Sequence, residues 1–368
     1  MTEDLRPPFR QQFDNARDPY TARNALGITG TGAGPPGPAG PAGPAGPAGA
    51  TGATGPAGAT GATGATGASG GFGPPHGRLT LQTAIPVMTT TQSAKTTIYY
   101  TPYIGNLVPI YNGTSMTMTT FAELSVATTD TTKSPAAIGA SKVNDWFVWS
   151  DSGTIRICHG PDWTSDTARS AGTALTMVNG ILLNNASITN GPAASRGTYI
   201  GTTRSNASSQ LDWIYGAKAA SGTAGVFGVW NAYNRVGVGT VIGDTTDSWT
   251  YALTTIRAAN ASSTMRVSMV HGLDEDSVDT EYVARLSSTT NGYVSIGIDS
   301  TSAFSGVNQG GGTGSTLVPT TGKFAGTIGL GFHYVQALEA CQAAVSVTFY
   351  GDVALSMVQT GLVVQFRA

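Results

Sequence analysis

Beyond about Arg78 the chain is written in short runs of β-branched and aromatic residues broken by Gly and Asn. "TTIYYTPYIGNLVPIYNG" ends on Asn112-Gly113, a residue pair that favours a hairpin turn. "DWFVWSDSGTIRICHG" reads as two strands around the turn Asp151-Ser152-Gly153. "YVSIGIDS", "FAGTIGLGFHYVQAL" and "AAVSVTFYGDVALSMVQTGLVVQF" continue the pattern, with Thr and Ser crowding the polar positions of solvated strand faces. The one helical suggestion in this region is "SDTARSAG", with Ser165 or Asp166 as its cap. Short strands with turn residues at close spacing predict a mostly β fold, a β-sandwich or jelly-roll-like body over 78–368, in one module or two.

Residues 34–77 follow a different period. Glycine stands at Gly34, Gly37, Gly40, Gly43, Gly46, Gly49, Gly52, Gly55, Gly58, Gly61, Gly64, Gly67, Gly70 and Gly73 without a miss. Only glycine fits the crowded axis where three polyproline-II strands wind together, so this phase predicts a collagen-like triple-helical stem. A flexible Gly/Pro-rich linker has no reason to hold phase. The consequence is a homotrimer, with a stem roughly 120–130 Å long at about 3.1 Å per residue. No Lys, Arg, Asp or Glu lies in the repeat, so no interchain ion pair can set the stagger of its strands. Register and nucleation are therefore expected from a trimeric domain at one end. Gly27 and Gly30 share one phase and Gly34 another, which starts the regular helix at about Gly34.

The flank at 1–33 is the most densely charged part of the chain, setting Glu3, Asp4, Asp14 and Asp18 against Arg6, Arg10, Arg17 and Arg23. "DPYTARNALG" reads as a short helix. Asp18 is its N-cap, Pro19 its first turn, Tyr20 and Leu26 its bulky side chains, and Gly27 its stop. Upstream, Phe9 and Phe13 stand on a proline-stiffened stretch. So short a segment cannot bury a core of its own. It is either a disordered tail or an anchor that orders on a partner, and aromatics interleaved with arginines such as Arg17 favour the anchor.

Composition narrows the function. Charged residues are 11% of 368, and the formal net charge is −2, which gives no electrostatic footprint for nucleic acid or an anionic membrane. No apolar run is long enough for a membrane-spanning helix, so no membrane insertion is expected. The first residues lack the apolar stretch of a secretory signal, which places synthesis in a cytoplasm. Cys158 and Cys341 fit no metal or CxxC spacing and are expected as buried thiols, with a mutual pair as the alternative.

Candidate chemistry is thin. Asp274, Glu275, Asp276, Asp279 and Glu281 offer hard oxygens for Ca²⁺ but lack the glycine and ligand order of a known loop, so a solvated turn is preferred. His76, His159, His271 and His333 have no metal-like spacing. "NQGGGTGST" at 308–316 lacks the Lys of a phosphate-binding loop and reads as a flexible loop. Trp146, Trp149, Trp163, Trp213, Tyr215, Trp230 and Tyr233 suit core packing first and a glycan platform second. The reading is a non-enzyme with no cofactor, no metal and no catalytic residue.

Several stretches carry a resemblance: "LTLQTAIPV", "IYYTPYIGNLVPIYNGT", "GPDWTSDTARSAG", "RGTYIGTTRS", "VWNAYNRV", "SWTY" and "ALEACQAAVSVTFYGD". Over about 78–352 the chain resembles collagen-like fibre or structural proteins of phage and prophage virions, and "TARNALG" resembles a short motif of phage tail fibres. The tail "VALSMVQTGLVVQFRA" lies outside that pattern. The resemblance implies a virion location and brings no catalytic residues. It fits a collagen-like chain without an export signal, since a phage fibre is assembled inside a cell and leaves by lysis. The expected protein is a trimeric structural and adhesive fibre. Residues 1–33 hold it to other virion proteins of the neck, tail or capsid, and the distal body meets the host surface, with surface glycan as its candidate ligand. A fibre-borne glycan depolymerase and a spore or cell-surface collagen-like protein remain as alternatives.

Overall fold

In the computed structural model the described residues are 72–217, 223–305, 310–342, 344–352 and 360–368. The chain divides after Gly67, and these residues all belong to the unit Ala68–Ala368. The stem glycines from Gly34 to Gly70, the short helix at "DPYTARNALG" and the anchor side chains Phe9, Phe13, Arg17, Asp18, Tyr20 and Leu26 lie outside the described residues. Gly73 is inside them, outside any strand. Gly77, assigned to the stem by its sequence, is instead the first residue of the strand Gly77–Thr80 and pairs with Pro102.

The body is mostly β, as the alternation predicts, and its described strands fall into four hydrogen-bonded sheets. At the centre of the six-stranded sheet lie Val143–Asp151 and Thr198–Arg204, antiparallel to each other. Val143–Val148 is buried without a break, the mark of a strand covered on both faces. Its partner Thr154–Asp162 returns through Ser152 and Gly153, both at positive φ (52° and 91°). This is the left-handed pair that suits a two-residue hairpin, so the turn read at Asp151-Ser152-Gly153 is present. The Asn112-Gly113 hairpin also forms, between Leu107–Tyr111 and Met116–Thr120. Its loop is four residues long rather than two, because Asn112 Oδ1 accepts the backbone N–H groups of both Thr114 and Ser115 at 2.9 Å.

The twelve-stranded sheet is organised by Ser277–Ile298, whose side chains alternate inward at Val278, Thr280, Tyr282, Ala284 and Leu286. One edge of this strand pairs with Gly310–Thr327, and the other pairs in turn with Gly361–Arg367, Val347–Tyr350 and Gly331–Cys341. The loop read at 308–316 is thereby corrected from Gly310 onward. Those glycines are strand residues, with Gly310 opposite Val294 and Gly312 opposite Gly292. Glycine serves close approach here, since a Cβ on Gly310 would stand 2.2 Å from the Thr321 carbonyl oxygen. The last residues, Gly361–Ala368, are integral to the body. Gly361–Arg367 lies between Gly237–Gly243 and Ser277–Ile298, and the Ala368 carbonyl accepts from Val236 and from buried Arg78.

One continuous core runs from Leu79 to Ala368, with Trp146, Trp213, Trp230, Tyr199, Phe227 and Phe349 among its largest buried side chains. Through it passes a polar clasp. Asp145, buried in the six-stranded sheet, takes both Nε and Nη2 of Arg169 (2.8 and 2.9 Å) and the Thr202 hydroxyl (2.6 Å). Arg169 Nη2 also donates to the Gly272 carbonyl at 2.8 Å, just past the Arg266–His271 strand of the larger sheet, and the guanidinium lies 4.2 Å over the Trp163 ring.

That clasp overturns the helix expected at "SDTARSAG". Ser165 and Ala168 close a bridge, the Asp166 carbonyl accepts from Phe332 N–H at 2.8 Å, and Arg169 points inward. Only a single 3₁₀ turn follows, Ala171–Thr173, capped by Ser170 rather than Ser165 or Asp166. Removing one partner of a buried pair strands the other charge and typically costs about 3–5 kcal/mol. Asp145→Ala is expected to lower unfolding free energy by about that amount, read from urea titration of tryptophan fluorescence.

Candidate functional site

The structure distributes the sequence candidates among structural roles. Trp146, Trp163, Trp213 and Trp230 are core residues, so they form no glycan platform. The acidic run is not a solvated turn throughout. Asp276 is buried and accepts from Trp230 Nε1 (3.1 Å) and Arg235 Nη1 (2.7 Å), while Glu275 pairs with the same arginine at 2.5 Å. Among the described residues no three His, Cys, Asp or Glu side chains come together to hold a metal. Cys158 and Cys341 are buried free thiols, not a pair.

A built recess does occur where three segments meet. The Leu107–Tyr111/Met116–Thr120 hairpin is fastened to the six-stranded sheet by a hydrogen bond from the Thr198 hydroxyl to the Pro109 carbonyl. Its far end packs Met116 against Ile181 and Leu183. Opposite stands the Ser152-Gly153 hairpin, carrying Trp149, Ser150 and Ile155, and the loop at Ala193–Arg196 closes the third side. Between them opens a cleft of about 530 Å³, within the size range of small-ligand sites. Tyr111 and Trp149 are half-buried, Asn112 and Ser150 are exposed, and the Arg196 guanidinium lies 5.8 Å over the Tyr111 ring.

Gly113 suits the turn that carries this side of the cleft, because its backbone is left-handed. Its φ is +96°, and a Cβ there would fall 1.9 Å from Arg196 Nη2. The cleft offers two aromatic rings, a guanidinium, an amide and several hydroxyls, and no carboxylate lines it. Such a lining can stack on and hydrogen-bond a sugar, and it lacks the carboxylate pair of a glycosidase.

A second groove, between Glu123–Ala127, Asp130–Lys133 and Arg156, does carry carboxylates. Burial would raise Glu123, but hydrogen bonds from Thr101, Thr83 and the Ala84 N–H outweigh it and lower the carboxyl. Burial of Asp130 is outweighed in the same way by the Thr132 hydroxyl and the Thr132 and Lys133 N–H groups. A general acid for glycoside cleavage needs a raised carboxyl, and both move the other way.

The signal for the cleft was present but scattered. Trp149 stood among the aromatic candidates, and Tyr111 sat beside the turn pair. Arg196 was missed, because nothing in its local sequence marks a long-range partner.

The histidines give a pH test. Burial pushes His271 down to about 4, with Nε2 left without a partner. Its contribution to stability is therefore complete above the ordinary value of 6.5 and is lost as pH falls towards 4. His333 has the opposite sign. Burial lowers it, but the Asp299 carboxylate at 2.6 Å raises it further, so its contribution is complete below 6.5 and fades above. His271→Phe is expected to remove about 2 kcal/mol of the stability loss between 6.5 and about pH 5, measured by denaturant titration at both values.

No protein-family model matches this chain, and no curated protein matches it.

Proposed function

We propose that the chain is the subunit of a homotrimeric structural and adhesive fibre of a bacteriophage particle. Residues 1–33 anchor it to other virion proteins, 34–77 form the collagen-like stem, and a sandwich-like β body faces the host. The observation that carries the reading is the unbroken glycine phase from Gly34 to Gly73 ahead of a body with its own continuous core. The phase asks for three parallel chains. The body is too large and too fully packed to serve only as a cap for the stem. Three copies held together turn weak single contacts into firm retention.

Within the body, the Tyr111–Trp149–Arg196 cleft is the surface assigned to host glycan. Its rings and hydroxyls match the faces and edges of a pyranose, and its lack of carboxylates agrees with binding without cleavage.

Native mass measurement of the intact chain is expected to give a trimer, and monomer or dimer would sink the reading. Removing residues 1–28 should leave a folded, soluble trimer that no longer incorporates into particles. Normal copy number of the truncated protein on purified particles would show that the anchor lies elsewhere. Trp149→Ala should leave folding intact and weaken retention of the trimer on host envelope polysaccharide at least tenfold. Release of reducing ends from that polysaccharide by the wild-type protein would favour a depolymerase instead.

A further inference from the structure

We infer that Phe72, Tyr103 and Ile104 form the seam where three copies of the body meet, and that closing this seam sets the register of the stem. The inference rests on the trimeric reading above and says which surface of the body makes the trimer.

Eight large apolar side chains are exposed among the described residues. Phe72 (38%), Tyr103 (43%) and Ile104 (60%) are three of them; Tyr103 and Ile104 both bond to His76, and Phe72 lies four residues before it in the chain. The His76 carbonyl accepts the backbone N–H groups of both Tyr103 (3.2 Å) and Ile104 (3.1 Å), and His76 N–H donates to Leu107 at 2.9 Å. The loop carrying Tyr103 and Ile104 is thus pinned to His76, four residues beyond Phe72. The Arg78 guanidinium lies 5.6 Å from the Tyr103 ring centre, and Arg78 is itself fixed to the Pro86 and Ala368 carbonyls. The exposure is held in place by the fold.

Charge separates this patch from the rest of the surface. Neither Phe72–Gly77 nor Thr96–Ala122 contains an Asp, Glu, Lys or Arg, and the charges flanking the longer stretch are Lys95 and Glu123. Two charged groups that adjoin these stretches are already satisfied within the fold, Arg78 by the Pro86 and Ala368 carbonyls and Glu123 by Thr83, Ala84 and Thr101, and depletion of charge is what marks the centre of a protein interface.

Chain geometry identifies the occupant as a second and third copy of this chain. Gly73 is the last glycine in phase and therefore lies next to the triple-helix axis. Three residues reach at most about 10 Å, so His76 is confined close to that axis, and with it Tyr103 and Ile104, within about 15 Å. Three bodies of about 290 residues, each ~40 Å across, cannot start so near one axis without touching. They touch first at the residues hydrogen-bonded to His76. An uncharged repeat cannot choose its own stagger, whereas a seam one turn beyond the last glycine aligns all three chains at once.

The test uses the full chain. The double variant Tyr103→Ser/Ile104→Asp is compared with wild type and with Met177→Asp, an exposed apolar site (67%) on the strand Leu175–Val178. Native mass gives the oligomer, collagen-type circular dichroism follows stem refolding after heating, and tryptophan fluorescence reports the body. The wild type and Met177→Asp are expected to be trimers with equal refolding rates. The seam variant should keep a folded body but dissociate, or refold its stem at least tenfold more slowly. Separately, Ile104→Cys should crosslink chain to chain with a short thiol reagent, since Cys158 and Cys341 are buried, and Met177→Cys should not. A trimeric wild type whose seam variant keeps its mass and refolding rate, with no crosslink through position 104, would overturn the seam alone. A monomeric wild type would overturn the trimeric reading and the seam together.

Discussion

The body depends on one buried ion pair. Asp145 sits in a strand that is covered on both faces, where an unpaired carboxylate would be intolerable, and Arg169 satisfies both of its oxygens. The same guanidinium reaches the Gly272 carbonyl, so one side chain ties the six-stranded sheet to the twelve-stranded one. Its position dictates the backbone that carries it. With Arg169 drawn inward and the Asp166 carbonyl taken by Phe332, residues 165–169 cannot make the i to i+4 bonds of a helix. Burial pulls against the arginine's charge, yet Asp145 holds the guanidinium above its ordinary range.

The arrangement is used three times. Glu339, wholly buried, accepts from Trp249 Nε1 and from Arg257, whose guanidinium lies 3.8 Å over the Tyr251 ring. Asp276 accepts from Trp230 Nε1 and from Arg235, which rides that indole at 5.1 Å. In each case a carboxylate, an arginine and an aromatic ring satisfy one another where water is excluded. A bidentate, stacked guanidinium suits this role and a lysine does not.

These clasps explain which parts of the fold were legible in the sequence. Local rules worked where the deciding partners are neighbours. Ser152-Gly153 supplies two left-handed residues in a row, and the hairpin follows. They failed where a distant partner decides. A helix at "SDTARSAG" is reasonable until Asp145 and Phe332 compete for its side chain and its carbonyl. The glycines after Gln309 look like loop until Val294 and Thr321 require a backbone without side chains. Acidic Asp274–Glu281 reads as solvated until Trp230 and Arg235 recruit Asp276. For the site, the same limit holds. Tyr111, Trp149 and Arg196 are far apart in the chain and meet only because Thr198 fastens one hairpin beside another. The glycine phase from Gly34 to Gly70 lies outside the described residues.

The scarcity of charge bears on the interior and the surface alike. With so few ionisable residues, committing Asp145, Glu339 and Asp276 to the interior leaves less for the surface, and the stretch Thr96–Ala122 has none. Interior clasps use charge for specificity, since a carboxylate that misses its arginine is heavily penalised. A contact between identical copies has a different requirement. Like charges repeated around a three-fold axis face their own kind, so a patch that meets itself is better left neutral and apolar. The uncharged stretch from Thr96 to Ala122, pinned beside the last glycine of the repeat, has the composition that such a contact demands.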